Sequence, residues 1–214
     1  MAQVTIAPGR LCGTVAAPPS KSAAHRGIIL AAMSQGTSTL TPIDLSDDIS
    51  ATLAGIAALG ARCQRHREGV RVTGAQLPLE QLPLVDCRES GSTLRFLLPV
   101  AAALGRETTF RLHGRLPQRP LGPLWEALEA HGVRLSRPAP GELLCAGRLE
   151  SGRFALPGDV SSQFFSGLLF ALPLLDGPSE LIAVTPPESA GYIAMTLAAL
   201  RRFGIAAEPL PDGW

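Results

Sequence analysis

Apolar residues in this chain gather into two alternating kinds of block. Blocks of the first kind are apolar on every side: Gly27–Ala32, Phe96–Ala102 and Gly167–Leu172, each led by a short polar stretch rich in serine. Such runs predict helices buried all round. Blocks of the second kind repeat at the 3.6-residue period: Asp48–Leu59, Leu121–His131 and Tyr192–Phe203. Leu53, Ile56, Ala57 and Gly60 share one face of the first of these, as do Leu124, Leu128 and His131 of the second. This pattern predicts amphipathic helices that bury a single stripe. Each ends at a glycine, Gly60, Gly132 or Gly204, a normal helix stop. Short alternating or β-branched runs lie between and predict strands: Leu11–Val15, Thr37–Ile43, Leu84–Cys87, Thr108–His113, Arg153–Leu156 and Glu180–Val184.

The order recurs. Ser22, Ser92 and Ser162 stand 70 residues apart, and the three glycines 72 apart. Hairpins follow the amphipathic helices: Ala61–His66 and Val70–Thr73 across Glu68-Gly69, then Val133–Arg137 and Glu142–Ala146 across Pro140-Gly141. A third begins at Ile205–Glu208 and reaches Asp212-Gly213 just before Trp214. The expected fold is α/β: three β-α-β-α-β-β units around a pseudo-threefold axis, the third incomplete, in a fragment of a longer protein. With the apolar first helices innermost, their N-termini would emerge on one side. Each helix start attracts an anion by about 0.3–1 kcal/mol, and by up to about 2 when partly buried. The pattern therefore predicts a multi-point anion site.

Composition narrows the class. The 214 residues are 46% hydrophobic, which supports a packed core, and carry a net charge of +1. The balanced charge and few aromatics argue against nucleic acid, and anion selectivity must be local. No apolar stretch is long enough to span a bilayer, and the N-terminus lacks the pattern of a signal peptide. A cytoplasmic protein is expected. Cys12, Cys63, Cys87 and Cys145 are scattered and form no metal pattern with the four histidines. Reduced thiols are expected.

The chemistry-bearing residues cluster at the helix starts. In Pro18-Pro19-Ser20-Lys21-Ser22-Ala23-Ala24-His25-Arg26, Ser20 or Ser22 can cap the helix. Lys21 and Arg26 oppose its dipole and call for a compensating anion. In Arg88-Glu89-Ser90-Gly91-Ser92, Gly91 leaves room for a ligand to approach the backbone. Arg119 stands before Pro120, which is expected in the first turn of a helix, and can fork onto a carboxylate or phosphate. Ser161, Ser162 and Gln163 offer two hydroxyls and an amide, and Ser189 leads the last helix in the same way, ahead of Tyr192. Ser46-Asp47-Asp48 fits capping. Glu89, Asp159 and Glu188 are carboxylates able to move protons, but their spacing fits caps or charge partners better.

Taken in order, Pro19-Ser20-Lys21-Ser22…His25-Arg26, Gly91-Ser92, Arg119-Pro120-Leu121-Gly122, Asp159-Val160-Ser161-Ser162-Gln163 and Ser189…Tyr192 resemble the 5-enolpyruvylshikimate-3-phosphate (EPSP) synthase family over essentially the whole chain. The resemblance implies two lobes of three β-α-β-α-β-β units. Residues 1–20 would belong to the largely missing C-terminal lobe and 21–214 to the N-terminal lobe. It implies transfer of the enolpyruvyl group of phosphoenolpyruvate to the 5-hydroxyl of shikimate 3-phosphate, on the way to chorismate and the aromatic amino acids. No metal or organic cofactor is implied, and the full-length protein would be a monomer.

By the same resemblance, Lys21, Ser161, Ser162 and Ser189 would hold the phosphate of shikimate 3-phosphate. Ser22 and Arg26 would bind its ring and carboxylate, and Gln163 and Tyr192 would line that pocket. Lys21, Gly91 and Arg119 would meet phosphoenolpyruvate, with Lys21 the residue closest to catalysis. The family's proton-transfer carboxylate and lysine lie in the other half, so this chain alone is expected to bind without turnover. The family's usual Gly-Asn-Ala-Gly-Thr reads Arg88-Glu89-Ser90-Gly91-Ser92 here, where Glu89 replaces a neutral amide and Ser90 replaces alanine. They put phosphoenolpyruvate affinity and glyphosate response in question. Two rivals remain. The related transferase acting on UDP-N-acetylglucosamine usually has Lys-Asn where this chain has Lys21-Ser22, and a loop cysteine that has no counterpart near Arg119. A non-catalytic ligand-binding module should close its last sheet.

Overall fold

A computed structural model of the chain describes residues 3–10, 12–76 and 81–214. The first unit contains helix α1 (Lys21–Met33), strand β1 (Thr37–Leu40), helix α2 (Asp47–Ala58) and the hairpin β2 (Arg62–His66) and β3 (Gly69–Thr73). The second contains β4 (Leu84–Asp86), α3 (Gly91–Leu104), β5 (Thr108–Arg111), α4 (Gly122–Glu129), β6 (Val133–Ser136) and β7 (Glu142–Gly147). The third contains β8 (Arg153–Leu156), α5 (Ser162–Ala171), β9 (Glu180–Ala183) and α6 (Ala190–Arg202). Among the described residues, only the second unit has the β-α-β-α-β-β order in full.

The sheets follow this division. In the first, β3 pairs antiparallel with both β1 and β2. The second runs β4-β5-β7-β6, with β4 and β5 parallel and the hairpin antiparallel. In the third, β8 and β9 are parallel.

Two expected strands are not formed. Leu11 lies outside the described residues, while 12–15 are exposed and without strand structure. Extended chain becomes a strand only against a hydrogen-bonding partner, and among the described residues no strand pairs with this segment. Ile205–Glu208 is likewise not a strand. Instead residues 212–214 run along β9: Leu181 N–H donates to Trp214 O at 2.7 Å, and Trp214 N–H donates back at 2.9 Å. Gly213 permits this approach, because a Cβ there would lie 2.0 Å from Leu181 O.

The core forms between helices. α1 packs on α2, α2 on α3, α3 on α5, α5 on α6 and α6 on α1, closing a ring. α3 and α5 are buried almost all round, as their unbroken apolar runs require, whereas α6 buries the stripe Ile193, Thr196 and Leu200. Ala57, expected on the buried face of α2, is exposed; Thr52 and Gly55 are buried there instead. The tightest helix contact has a clear cause. Pro99 lies inside α3 and has no N–H for the Arg95 carbonyl four residues earlier. Gly167 of α5 sits against that carbonyl, so closely that a Cβ would come within 2.1 Å of it. Among the described residues, no helix is long and apolar enough to cross a membrane.

Candidate functional site

Serine hydroxyls cap the three apolar helices. Ser20 accepts from Ala23 N–H at the start of α1, Ser90 from Thr93 N–H at α3, and Ser161 from Gln163 N–H at α5. Each thereby satisfies one N–H that has no partner inside its helix. Ser46 caps α2 in the same manner. Ser189 does not follow the pattern expected of it. It precedes α6 in the left-handed region, at φ 56°, and its side chain makes no cap bond. A non-glycine residue there is strained.

These helix starts open onto one cleft of about 410 Å³. α1 contributes Lys21, Ser22 and Arg26; the start of α5 contributes Ser161, Ser162 and Gln163; the start of α6 contributes Ser189 and Tyr192. All eight residues expected around shikimate 3-phosphate therefore line one space. Ser92, Phe96, Val160 and Glu188 complete the wall. A second hollow, of about 380 Å³ near Leu169, Leu200 and Trp214, is largely apolar and lacks a comparable set of donors.

The two cations of α1 are held in opposite ways. Lys21 Nζ lies 2.5 Å from the Asp48 carboxylate of α2, so the anion that balances it comes from the chain itself. Burial favours the neutral acid at Asp48. The hydrogen bond and charge of Lys21, the charge of His25 and the nearby Ser90 hydroxyl outweigh it, and the carboxyl ends below its ordinary range. Arg26 is 2% exposed, and among the described residues its hydrogen bonds go to neutral acceptors. Its Nε donates to Thr196 Oγ1 at 2.8 Å, Nη1 to Ser22 O at 2.8 Å, and Nη2 to Tyr192 O at 2.9 Å and Ser166 Oγ at 3.2 Å. The Phe96 and Tyr192 rings lie 5.3 and 5.9 Å from the guanidinium carbon. Burial pulls its pKa down to about 10, against a smaller effect of Tyr192. The charge persists at neutral pH.

Gln163 is locked between two neighbours. Its Nε2 donates to Ser92 Oγ at 2.9 Å, and its Oε1 accepts from Arg95 Nη1 at 2.7 Å. Arg95 also donates to Pro120 O and lies over the Phe164 ring. Gly91 and Arg119 stand just outside the cleft lining and beside this cluster. A Cβ on Gly91 would lie 3.1 Å from Arg119 Nη1 and 3.2 Å from Arg95 Nη1. Burial and the Arg119 charge both lower the Arg95 pKa. Two guanidinium groups meeting in this way form a setting for an anion.

Other expectations shift. Pro123, not Pro120, occupies the first turn of α4, and Arg119 ends a 3₁₀ turn at Leu116–Gln118. Glu89 faces Gly114 and accepts weakly from Arg115 N–H at 3.4 Å. Asp159 accepts from the Thr185 hydroxyl at 2.9 Å and so steadies the loop before α5. Only Glu188 of the three candidate carboxylates lines the cleft. Sequence reasoning missed Ser92 as a site residue, although it occupies the place of Ser22 and Ser162 in the 70-residue spacing. It also missed Arg95 and Asp48, whose partners are distant in sequence.

Comparison with known proteins completes the description. Residues 6–212 match the family model of EPSP synthase (3-phosphoshikimate 1-carboxyvinyltransferase). The 3-phosphoshikimate 1-carboxyvinyltransferase of Clostridium beijerinckii is 42% identical over 213 residues, covering 96% of this chain and 49% of that protein. That of Clostridium botulinum (strain Eklund 17B / Type B) is 43% identical over 211 residues, with the same coverage. The chain thus spans about half the length of the curated relatives it matches. Its fold resembles that of EPSP synthase from Acinetobacter baumannii, with a TM-score of 0.78 at 22% identity, over 94% of this chain and 45% of that one.

Proposed function

The chain belongs to the EPSP synthase family, and from that premise we propose that it forms the shikimate 3-phosphate-binding half of a cytoplasmic, monomeric 3-phosphoshikimate 1-carboxyvinyltransferase. One observation carries this reading: helix starts from three parts of the chain meet at a single cleft that gathers all eight expected residues. Ser161, Ser162 and Ser189 present hydroxyls and Lys21 a movable ammonium, a set suited to a phosphate dianion. Arg26, buried and without a carboxylate among its recorded partners, retains charge for the substrate carboxylate beside Ser22. Gln163 and Tyr192 line the ring. The Gly91–Arg119 corner takes phosphoenolpyruvate next to Lys21.

In the reaction, the 5-hydroxyl loses its proton as its oxygen bonds to C2 of phosphoenolpyruvate and C3 gains a proton. Phosphate then leaves C2 as C3 gives up a proton, which re-forms the C2–C3 double bond and yields the enol ether. This half binds and orients, and its cations hold charge on the two phosphates. The proton-moving groups are assigned to the other half. The pseudo-threefold arrangement of the units also belongs to this proposal. So does the assignment of residues 1–20 to the second lobe; Val4, Ile6 and Val15 are 80%, 87% and 90% exposed, as a segment built to pair elsewhere would be.

Titration of the purified chain with shikimate 3-phosphate tests the reading by NMR. Amide shifts at Ser161, Ser162 and Ser189 are expected to saturate together. Unmoved amides under excess ligand would refute the site. With a second lobe added, product should form from shikimate 3-phosphate and not from UDP-N-acetylglucosamine.

A further inference from the structure

At the edge of the cleft, one half-buried cation fixes where two polar side chains point. Arg95 Nη1 donates to Gln163 Oε1 at 2.7 Å, and Gln163 Nε2 donates to Ser92 Oγ at 2.9 Å. Arg95 is held on two further sides. Its Nη2 donates to Pro120 O at 2.9 Å, and its guanidinium carbon lies 5.5 Å from the centre of the Phe164 ring. Ser92 and Gln163 both line the cleft. Ser92 stands 70 residues from Ser22 and from Ser162, which line it too.

We propose that Ser92 is a further ligand-binding residue of this cleft, giving its one hydroxyl proton to an oxygen of shikimate 3-phosphate, and that Arg95 is a positioning residue that turns this proton outward through Gln163. The identity of the ligand rests on the functional reading above; the direction of the hydrogen bonds stands without it.

That direction is set at its start. A guanidinium only donates, so the Gln163 carbonyl must face Arg95 and its NH₂ must face Ser92. Turning the amide over would point its N–H groups at those of Arg95 and leave donors facing donors. Ser92 therefore accepts from Gln163, and its own proton is unspent. Among the described residues, Gln163 is the one hydrogen-bond partner of that hydroxyl. The second proton of Gln163 Nε2 is unspent as well, so the two side chains present two donors side by side. Such a pair receives a hydroxyl, carboxylate or phosphate oxygen and rejects an ammonium or an amide N–H. Aligned donors polarise one another, so the charge of Arg95 strengthens the last of them.

Calorimetric titration with shikimate 3-phosphate tests the proposal. Ser92→Ala removes the donor and little volume, and should weaken binding about three- to ten-fold; unchanged affinity would overturn the role of Ser92. Gln163→Glu keeps the shape but offers Ser92 a carboxylate that takes its proton. In that background Ser92→Ala should cost no more than about two-fold. The full loss there would mean that Ser92 acts by packing, and would overturn the donor role. Arg95→Met frees Gln163 to turn its carbonyl to Ser92, so Ser92→Ala should again cost little; the full loss would refute positioning by Arg95. NMR of the wild-type chain checks the direction without ligand or variant. The Gln163 side-chain amide protons should show cross-relaxation with the Ser92 β protons, and cross-relaxation with the Arg95 guanidinium instead would overturn it. Should the wild-type chain not bind shikimate 3-phosphate, the substrate reading fails, and the direction is still judged by that amide.

Discussion

Replacing Arg26 by methionine separates binding from folding. A guanidinium buried among neutral partners is costly. A pKa drawn down from the ordinary arginine range to about 10 corresponds to about 3 kcal/mol, or about 2 once water in the cleft screens it. Arg26 stays protonated in folded and unfolded chain below pH 10, so this cost is constant across neutral pH. Its four hydrogen bonds, each contributing about 0.5–1.5 kcal/mol net, return a comparable amount. Removing it strands few groups: Ser166 and Thr196 remain bonded to each other at 2.7 Å, and Thr196 still donates to Tyr192 O at 3.0 Å. Methionine fills much of the space beside Phe96. Unfolding free energy from urea titration should therefore change by no more than about 1 kcal/mol. Calorimetric affinity for shikimate 3-phosphate should fall about 10- to 100-fold, the worth of a charge-assisted hydrogen bond. Loss of about 3 kcal/mol of stability with unchanged binding would make Arg26 a structural strut and refute the reasoning.

Gly167→Ala drives a methyl into the Arg95 carbonyl and should cost about 2–4 kcal/mol in urea; a change below about 0.5 would mean that α3 and α5 separate easily. Burial lowers the His25 pKa from 6.5 to about 4, against the pull of Asp48, so the unfolded chain binds the extra proton. Stability from this group is complete above pH 6.5 and lost as pH falls toward 4, by about 2 kcal/mol at pH 5; His25→Gln should flatten that slope of the urea midpoint. Among the cysteines, exposed Cys12 should react quickly with a thiol reagent, whereas Cys87 and Cys145, buried and with raised pKa values (Cys145 to about 12), should react only on unfolding. Arg119→Ala should leave shikimate 3-phosphate binding intact and weaken phosphoenolpyruvate once a second lobe is present, as ternary-complex titration would reveal; the reverse order would refute the corner assignment.

The legible parts of the sequence were those with local causes. The runs ending at Ala32, Ala102 and Leu172 announced buried helices, and serine before each announced its cap. Arg153–Leu156 lies where its alternation placed it. The missing parts depended on partners far along the chain. Among the described residues, 12–15 have strand chemistry but no pairing strand, and Ile205–Glu208 alternates without a strand to pair with. Pro120 and Pro123 both suit a helix start, and only packing of Leu121 and Leu124 chooses the second. Lys21 and Arg26 looked alike as first-turn cations. That one meets Asp48 and the other a hydroxyl cage is decided by α2 and α6, whose approach no spacing within α1 encodes.

A capping serine uses a lone pair on the backbone and keeps its hydroxyl proton for something else. The three equivalent caps use that remaining freedom differently. Ser161 faces the cleft, where its proton can go to an anion. Ser90 is buried, and its hydroxyl turns inward, within 2.8 Å of Thr93 Oγ1. Ser20 leaves the cleft wall to its neighbours Lys21 and Ser22. One repeated local device thus supplies a neutral donor, an internal anchor and a place for a cation. On the proposed reading, that asymmetry is how a chain of net charge +1 would receive a dianion: selectivity would come from which way each helix start turns its proton, not from charge excess.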